Sequence, residues 1–146
     1  MIKNKWMLAA VFAGLLATGI VFRGGVQISM AYAQSTNRVF EVRIYTAHPG
    51  KFEAMKARFR DHIIPMFTRH GMTVVGFWTA ADAPKSENTL AYVLAYPSRE
   101  AAKKSWDAFR ADPERLKVWA ETEKDGPINL KVESMYLNPI DFSPIR

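Results

Sequence analysis

The chain has 146 residues, with 20 Lys and Arg against 14 Asp and Glu and no cysteine. The lack of cysteine excludes disulfides, thiolate metal sites, thiol nucleophiles and CxxC redox work, so an apolar and aromatic core must carry the stability. The net charge of +6 is scattered, with no Lys/Arg run longer than two, which is poor footing for nucleic acid or an anionic membrane.

The first segment reads as a targeting sequence. Residues 1–5 are basic through Lys3 and Lys5, residues 6–22 are apolar or small, and Ala31-Tyr32-Ala33 precedes Gln34. A basic start, an apolar run and Ala-x-Ala form the pattern of a secretory signal peptide. The apolar run is short of the roughly 20 residues that a membrane span needs. The reading is a signal peptide over 1–33, cleaved after Ala33, and an exported protein, periplasmic or secreted. The alternative is a chain anchored in the membrane by residues 6–22, and that uncleaved segment is the only membrane contact expected. Residues 1–33 hold Lys3, Lys5 and Arg23 and no acid, so their removal lowers the net charge from +6 to +3. Residues 34–146 have the size of one domain.

The elements of that domain follow in order. VFEVRIYTA, 39–47, alternates Phe40, Val42 and Ile44 with Glu41, Arg43 and Tyr45, as a strand does. His48-Pro49-Gly50 breaks it. Over 51–70 Phe52, Met55, Phe59, Ile63 and Met66 recur at helical spacing, with Pro65 placed to kink the helix and Gly71 to end it. The β-formers of 72–81 make a second strand and TLAYVLAY, 89–96, a third. Ser98 is an N-cap for a helix over 99–111, and Asp112-Pro113-Glu114 starts another that runs to Glu123. INLKVESMYL, 128–137, is the fourth strand, and the tail with Pro139 and Pro144 reads as a packed arm.

The order β-α-β-β-α-β is the ferredoxin-like plan, an α+β domain with an antiparallel sheet and helices on one face. Two helices roof only one side of a four-stranded sheet. Polarity assigns Phe40, Val42 and Ile44 to the helices and leaves Glu41, Arg43 and Tyr45 on the other face. With the first and last strands near the middle, Glu41, Arg43, Lys131 and Glu133 would form a mixed-charge cluster there. Strands two and three are apolar on both faces, which suits a monomer in water badly. The expected remedy is a homodimer, two sheets face to face in a dimeric α/β barrel. The alternative is a monomer with an ion-paired exposed face.

The chain resembles the NIPSNAP family of dimeric α/β barrels. The matching pieces are Glu41-x-Arg43-x-Tyr45, Pro49-Gly50-Lys51, Arg69-His70-Gly71, Gly76-Phe77-Trp78, and Ser98-Arg-Glu-Ala101 leading to Asp112-Pro113-Glu114. They run in order over about residues 39–120. The resemblance implies a ferredoxin-like fold and a dimer, and it implies no reaction. Neighbouring groups of the same barrel include cofactor-free monooxygenases, haem enzymes and isomerases. Strand three carries no His, so a haem or metal site borrowed from them lacks its ligand, and no cofactor or metal is expected.

Few groups suggest chemistry. His62 and His70 are eight residues apart and do not share a helix face, which disfavours a two-His metal site. His70 suits a helix end, where a cation is favourable. His62 is the candidate base, and Arg43 with Tyr45 can hold a carboxylate or enolate, unless Arg43 simply pairs with Glu41 or Glu133. Phe59, Trp78, Tyr92, Tyr96 and Trp106 are candidates to line an apolar cavity, or else plain core. The leading function is a binding or interaction module for a small apolar ligand or a protein partner. The rival is a cofactor-free oxygenase or isomerase acting on an aromatic or keto substrate.

Overall fold

A computed structural model describes residues 38–146. The signal-peptide reading of residues 1–33 lies outside the described residues. Among these, no helix is long and apolar enough to cross a membrane. The strands are β1 (Val39–Ala47), β2 (Thr73–Thr79), β3 (Thr89–Tyr96) and β4 (Asn129–Leu137). Between β1 and β2 lie α1 (Phe52–Arg58), a π-helical turn (Phe59–Ile63) and α2 (Ile64–Arg69). Between β3 and β4 lie α3 (Arg99–Ala111) and α4 (Pro113–Thr122).

Local chemistry accounts for the element ends. The wide turn of Phe59–Ile63 sits just before Pro65, whose ring lacks an N–H and crowds the carbonyl four residues back. The helix therefore widens instead of breaking, and Phe52, Met55, Phe59, Ile63 and Met66 all stay buried. Gly71 ends α2 at φ +73°, a backbone conformation that costs any other L-residue. The Ser98 side chain accepts from the Ala101 N–H at 3.1 Å and caps α3. Asp112 caps α4 by accepting from the Glu114 N–H at 2.8 Å.

The strands form one open antiparallel sheet of order β2-β3-β1-β4, the ferredoxin-like arrangement. β1 and β3 are central. β4 is an edge strand, so the first and last strands pair but do not share the middle. A register shift between Val74 and Gly76 marks a bulge in β2. A Cβ on Gly76 would stand 2.7 Å from the Trp78 ring, so the bare backbone there makes room for the indole.

The assignment of the sheet faces is the reverse of the one that polarity suggests. Glu41, Arg43 and Tyr45 lie under the helices, where Trp106 of α3 and Phe59 of the π turn touch them. Leu90, Tyr92, Leu94 and Tyr96 share that side and are buried with them. Phe40, Val42 and Ile44 occupy the open face, beside Leu137, Met135 and Glu133 of β4. The reason is satisfaction of charge. Glu41 and Arg43 neutralise each other and find donors and aromatic faces among the helices, so burying them leaves the carboxylate fully bonded. The four-residue charge cluster does not form, because Lys131 pairs with Glu133 at 2.8 Å on the opposite side of the sheet from Glu41 and Arg43.

Arg58, a charged residue outside the apolar stripe of Phe52, Met55, Phe59, Ile63 and Met66, is buried as well. It is 1% exposed and packs its guanidinium over Trp119, with hydrogen bonds to Glu123 at 2.7 Å and Asn129 at 3.2 Å. It ties α1 to the end of α4 and the start of β4. The arm after β4 packs onto the open face, where Pro139, Ile140 and Ile145 meet Phe40, Val75 and Trp78 around an apolar groove.

Candidate functional site

The helix side of the sheet holds a chain of buried polar groups. Glu41 is 1% exposed, and its carboxylate accepts from the Trp106 indole N–H at 2.6 Å, the Tyr96 hydroxyl at 2.9 Å and Arg43 at 2.7 Å. Arg43 also donates to the Tyr45 hydroxyl at 3.3 Å, and Tyr92 donates to the same oxygen at 3.3 Å. The Arg43 guanidinium stacks on Trp106, 4.4 Å from the ring centre.

Electrostatics keep these groups in defined states. Burial opposes the Arg43 charge, but the Tyr45 and Tyr92 oxygens and the bonds to Glu41 and Tyr45 outweigh it and hold its pKa above the usual arginine value. Burial first, then the Glu41 carboxylate, pushes the Tyr96 phenol up. Burial also pushes up the Tyr92 phenol, with Tyr45 adding to it. Arg43 is a permanent cation, and Tyr92 and Tyr96 are neutral donors.

This network floors a cleft of about 470 Å³ between α3 and β4, lined by Glu41, Arg43, Trp106, Ser134 and Tyr136 and by Arg99, Glu100, Lys103 and Arg110 of α3. Arg99 lies over the Tyr136 ring, 3.2 Å from its centre. Lys103 and Arg110 each pair with Asp107 at 2.7 Å, beside the cleft. A smaller, more enclosed cavity of about 130 Å³ lies between the helices and the sheet. Arg43, Trp106 and Arg110 line both, so the two spaces meet at these residues.

The sequence candidates divide by place. Arg43, Tyr45, Phe59 and Trp106 come together around the inner cavity. Tyr92 and Tyr96 stand behind them, fully buried, and hold Tyr45 and Glu41 by hydrogen bonds. Trp78 lies on the opposite face of the sheet, 53% exposed, in the groove under the arm. His62 is half-buried on the π turn and lines none of these spaces. His70 caps the end of α2 and meets Asp112 at 2.6 Å. Arg69 reaches the same carboxylate at 2.7 Å.

Sequence reasoning missed Glu41 as the hub, and it missed Arg99, Lys103, Arg110 and Arg115. A signal existed. Arg99, Lys103, Trp106 and Arg110 are spaced four, three and four apart, which puts three cations and an indole on one stripe of α3. That stripe runs beside the apolar one of Ala102, Trp106 and Phe109, and Trp106 belongs to both.

A single ferredoxin-like α+β domain with a charged floor beneath its helices is the class that this geometry defines. A family model described as NIPSNAP matches residues 40–144, and the chain belongs to the NIPSNAP family. It is similar in fold to a NIPSNAP family protein of unknown function from Agrobacterium tumefaciens, with a TM-score of 0.66 and 22% identity over 76% of this chain and 96% of that one. An uncharacterised NIPSNAP-like domain protein from Burkholderia xenovorans is similar with a TM-score of 0.65 and 19% identity, over 75% of this chain and 90% of that one. No curated protein matches the chain.

Proposed function

We propose that this NIPSNAP domain is an exported, homodimeric module that binds a small molecule in the helix-side cleft. The observation that carries the reading is the cleft itself. Its volume of about 470 Å³ is in the range of small-molecule sites, roughly 300–1,000 Å³, and its floor is held rigid by the bonds to Glu41. Trp106 and Tyr136 offer flat faces, and Arg99, Lys103 and Arg110 offer donors at the lip. The ligand is therefore a small molecule with a flat apolar body and at least one polar group.

The dimer rests on the open sheet face. Val75, Trp78, Met135 and Leu137 expose apolar surface there, on the side that the helices do not cover. A second copy placed face to face would bury this surface. Of the charges placed on that face by polarity, Glu41 and Arg43 are instead under the helices, which leaves the β1 part of the face apolar and strengthens the reason to pair, while Lys131 and Glu133 pair with each other on β4. Export rests on the basic, apolar and Ala-x-Ala pattern before Gln34.

Binding is favoured over turnover by the acids and bases present. The carboxylates lining the cleft are Glu41, which already accepts from three donors, and Glu100, exposed at the lip. His62 is outside the cleft, so a base positioned over a bound substrate is missing from the described residues that line it.

Native mass spectrometry of the protein from its own host tests both parts. A dimer carrying a small-molecule mass, with that mass lost in Arg99→Ala, is the expected result. A monomer without an adduct removes both the dimer and the ligand.

A further inference from the structure

The inner cavity has an unusual charge balance. Its lining contains Arg43, Arg110 and Arg115 and no carboxylate. The remaining walls are Tyr45, Phe59, Ile63, Phe67, Trp106, Phe109 and Trp119, so the space is aromatic and apolar apart from the guanidinium groups. Two of these arginines have an unmet hydrogen-bond donor. The Nε of Arg43 and the Nε of Arg115 are both buried and without a partner. The Nε of Arg58, outside the cavity, is in the same state, so it is the charge balance of the lining, and not these atoms, that marks the space as a site.

Arg115 differs from Arg43 and Arg58. Arg43 is paired with Glu41 and Arg58 with Glu123, both at 2.7 Å. Arg115 instead lies against two aromatic rings, 4.1 Å from the centre of Trp119 and 5.5 Å from that of Phe109. Burial pulls its pKa down, Tyr45 opposes that most, and the Arg58 and Arg110 charges add to the lowering. Its position is that of a cation short of an anion.

We propose that the inner cavity is a carboxylate site, in which Arg43 and Arg115 hold the anionic head of a small organic acid while Trp106 and Trp119 flank its flat body. This deepens the binding function proposed above and rests on it. A carboxylate supplies the negative charge that the lining lacks. A volume of about 130 Å³ between aromatic walls suits a monoanion with a compact ring or short chain. Inorganic phosphate offers the same oxyanion chemistry but no apolar body for those walls.

The test titrates the purified full chain with benzoate, benzamide and inorganic phosphate, read by tryptophan fluorescence, since Trp106 and Trp119 line the cavity. Saturable binding of benzoate, at least tenfold tighter than that of benzamide or phosphate, is expected. Arg115→Gln should weaken benzoate at least tenfold while the unliganded protein keeps or gains thermal stability, because an unpaired, partly buried charge is removed. If Arg115→Gln fails to fold, Arg115→Lys is read in its place, with weakening expected from the loss of the fork geometry. Equal response to benzoate and benzamide, equal response to phosphate, no response at all, or full benzoate affinity in the folded variant each overturns the carboxylate site. The wider binding function fails separately, when native protein carries no adduct that depends on Arg99.

Discussion

Trp106 of α3 donates its indole N–H to Glu41 of β1 at 2.6 Å, and this bond joins the helix layer to the middle of the sheet. Both residues are buried, and the same carboxylate also neutralises Arg43. A hydrogen bond to a charged group contributes about 1.5–3 kcal/mol. Trp106→Phe removes the donor and keeps an aromatic ring, so it should lower the free energy of unfolding by about 2 kcal/mol in urea titrations. Unchanged stability would show that the bond is idle.

Glu41→Gln should be the more harmful change. It keeps the shape of the side chain and removes the charge that Arg43 faces. Breaking a buried pair by neutralising one partner costs about 3–5 kcal/mol. Arg43 keeps some contact with solvent, so a loss of about 3 kcal/mol is expected from denaturant unfolding, with the sheet intact by circular dichroism.

Asp112 sets an acid dependence. Hydrogen bonds from Arg69 first, then from His70, hold its pKa well below the usual carboxylate value, and the capped Glu114 N–H adds to them. A depressed folded pKa means that the native state binds fewer protons than the unfolded chain at mildly acid pH. The stabilisation is full above the unfolded value of about 4 and is lost as the pH falls below it, towards the folded value. Asp112→Asn keeps a good N-cap and removes this charge, so the slope of thermal stability below pH 4 should become shallower. An acid limb identical to that of the parent would show that the Arg69 pairing has no weight.

The open face gives a test of assembly. Trp78 is 53% exposed, so Trp78→Lys costs one chain little folding free energy. In the proposed dimer the same change buries an unpaired charge. Sedimentation equilibrium should show a dimer for the parent and a folded monomer for Trp78→Lys. A variant that stays dimeric would move the interface away from this face.

Gly71 offers a local measure of backbone strain. At φ +73° a Cβ is disfavoured although the space around it is open, with Ser105 3.8 Å away. Gly71→Ala should cost about 1–2 kcal/mol of stability, measured by thermal unfolding. No change would show that the turn relaxes freely.

The elements themselves were legible from local pattern. Alternation set out β1 and β3 to their ends, and Ser98 and the Asp112-Pro113 pair placed both helix starts where the side chains do cap them. Pro65 was visible as a disturbance, and its consequence, a widened turn within a continuing helix, was not. The site was half legible. Arg43, Tyr45, Phe59 and Trp106 stood out as charged or aromatic residues in regular elements, and they do converge. Arg115 gave no signal, because its place in the cavity depends on the angle at which α4 meets the π turn. His62 attracted notice for its chemistry alone, and chemistry does not carry position.

By itself the sequence determined where the backbone turns helical or extended and that the sheet has two chemically different faces, because those properties depend on spacing within a few residues. Only the tertiary structure decided which face the helices cover. A period of two is the same whichever side is roofed, and the choice fell to the buried partners of Glu41 and Arg43, which come from β3 and α3, more than 50 residues further along the chain. Their hydrogen bonds offset the cost of hiding two charges, and that left the plainer apolar side of β1 open.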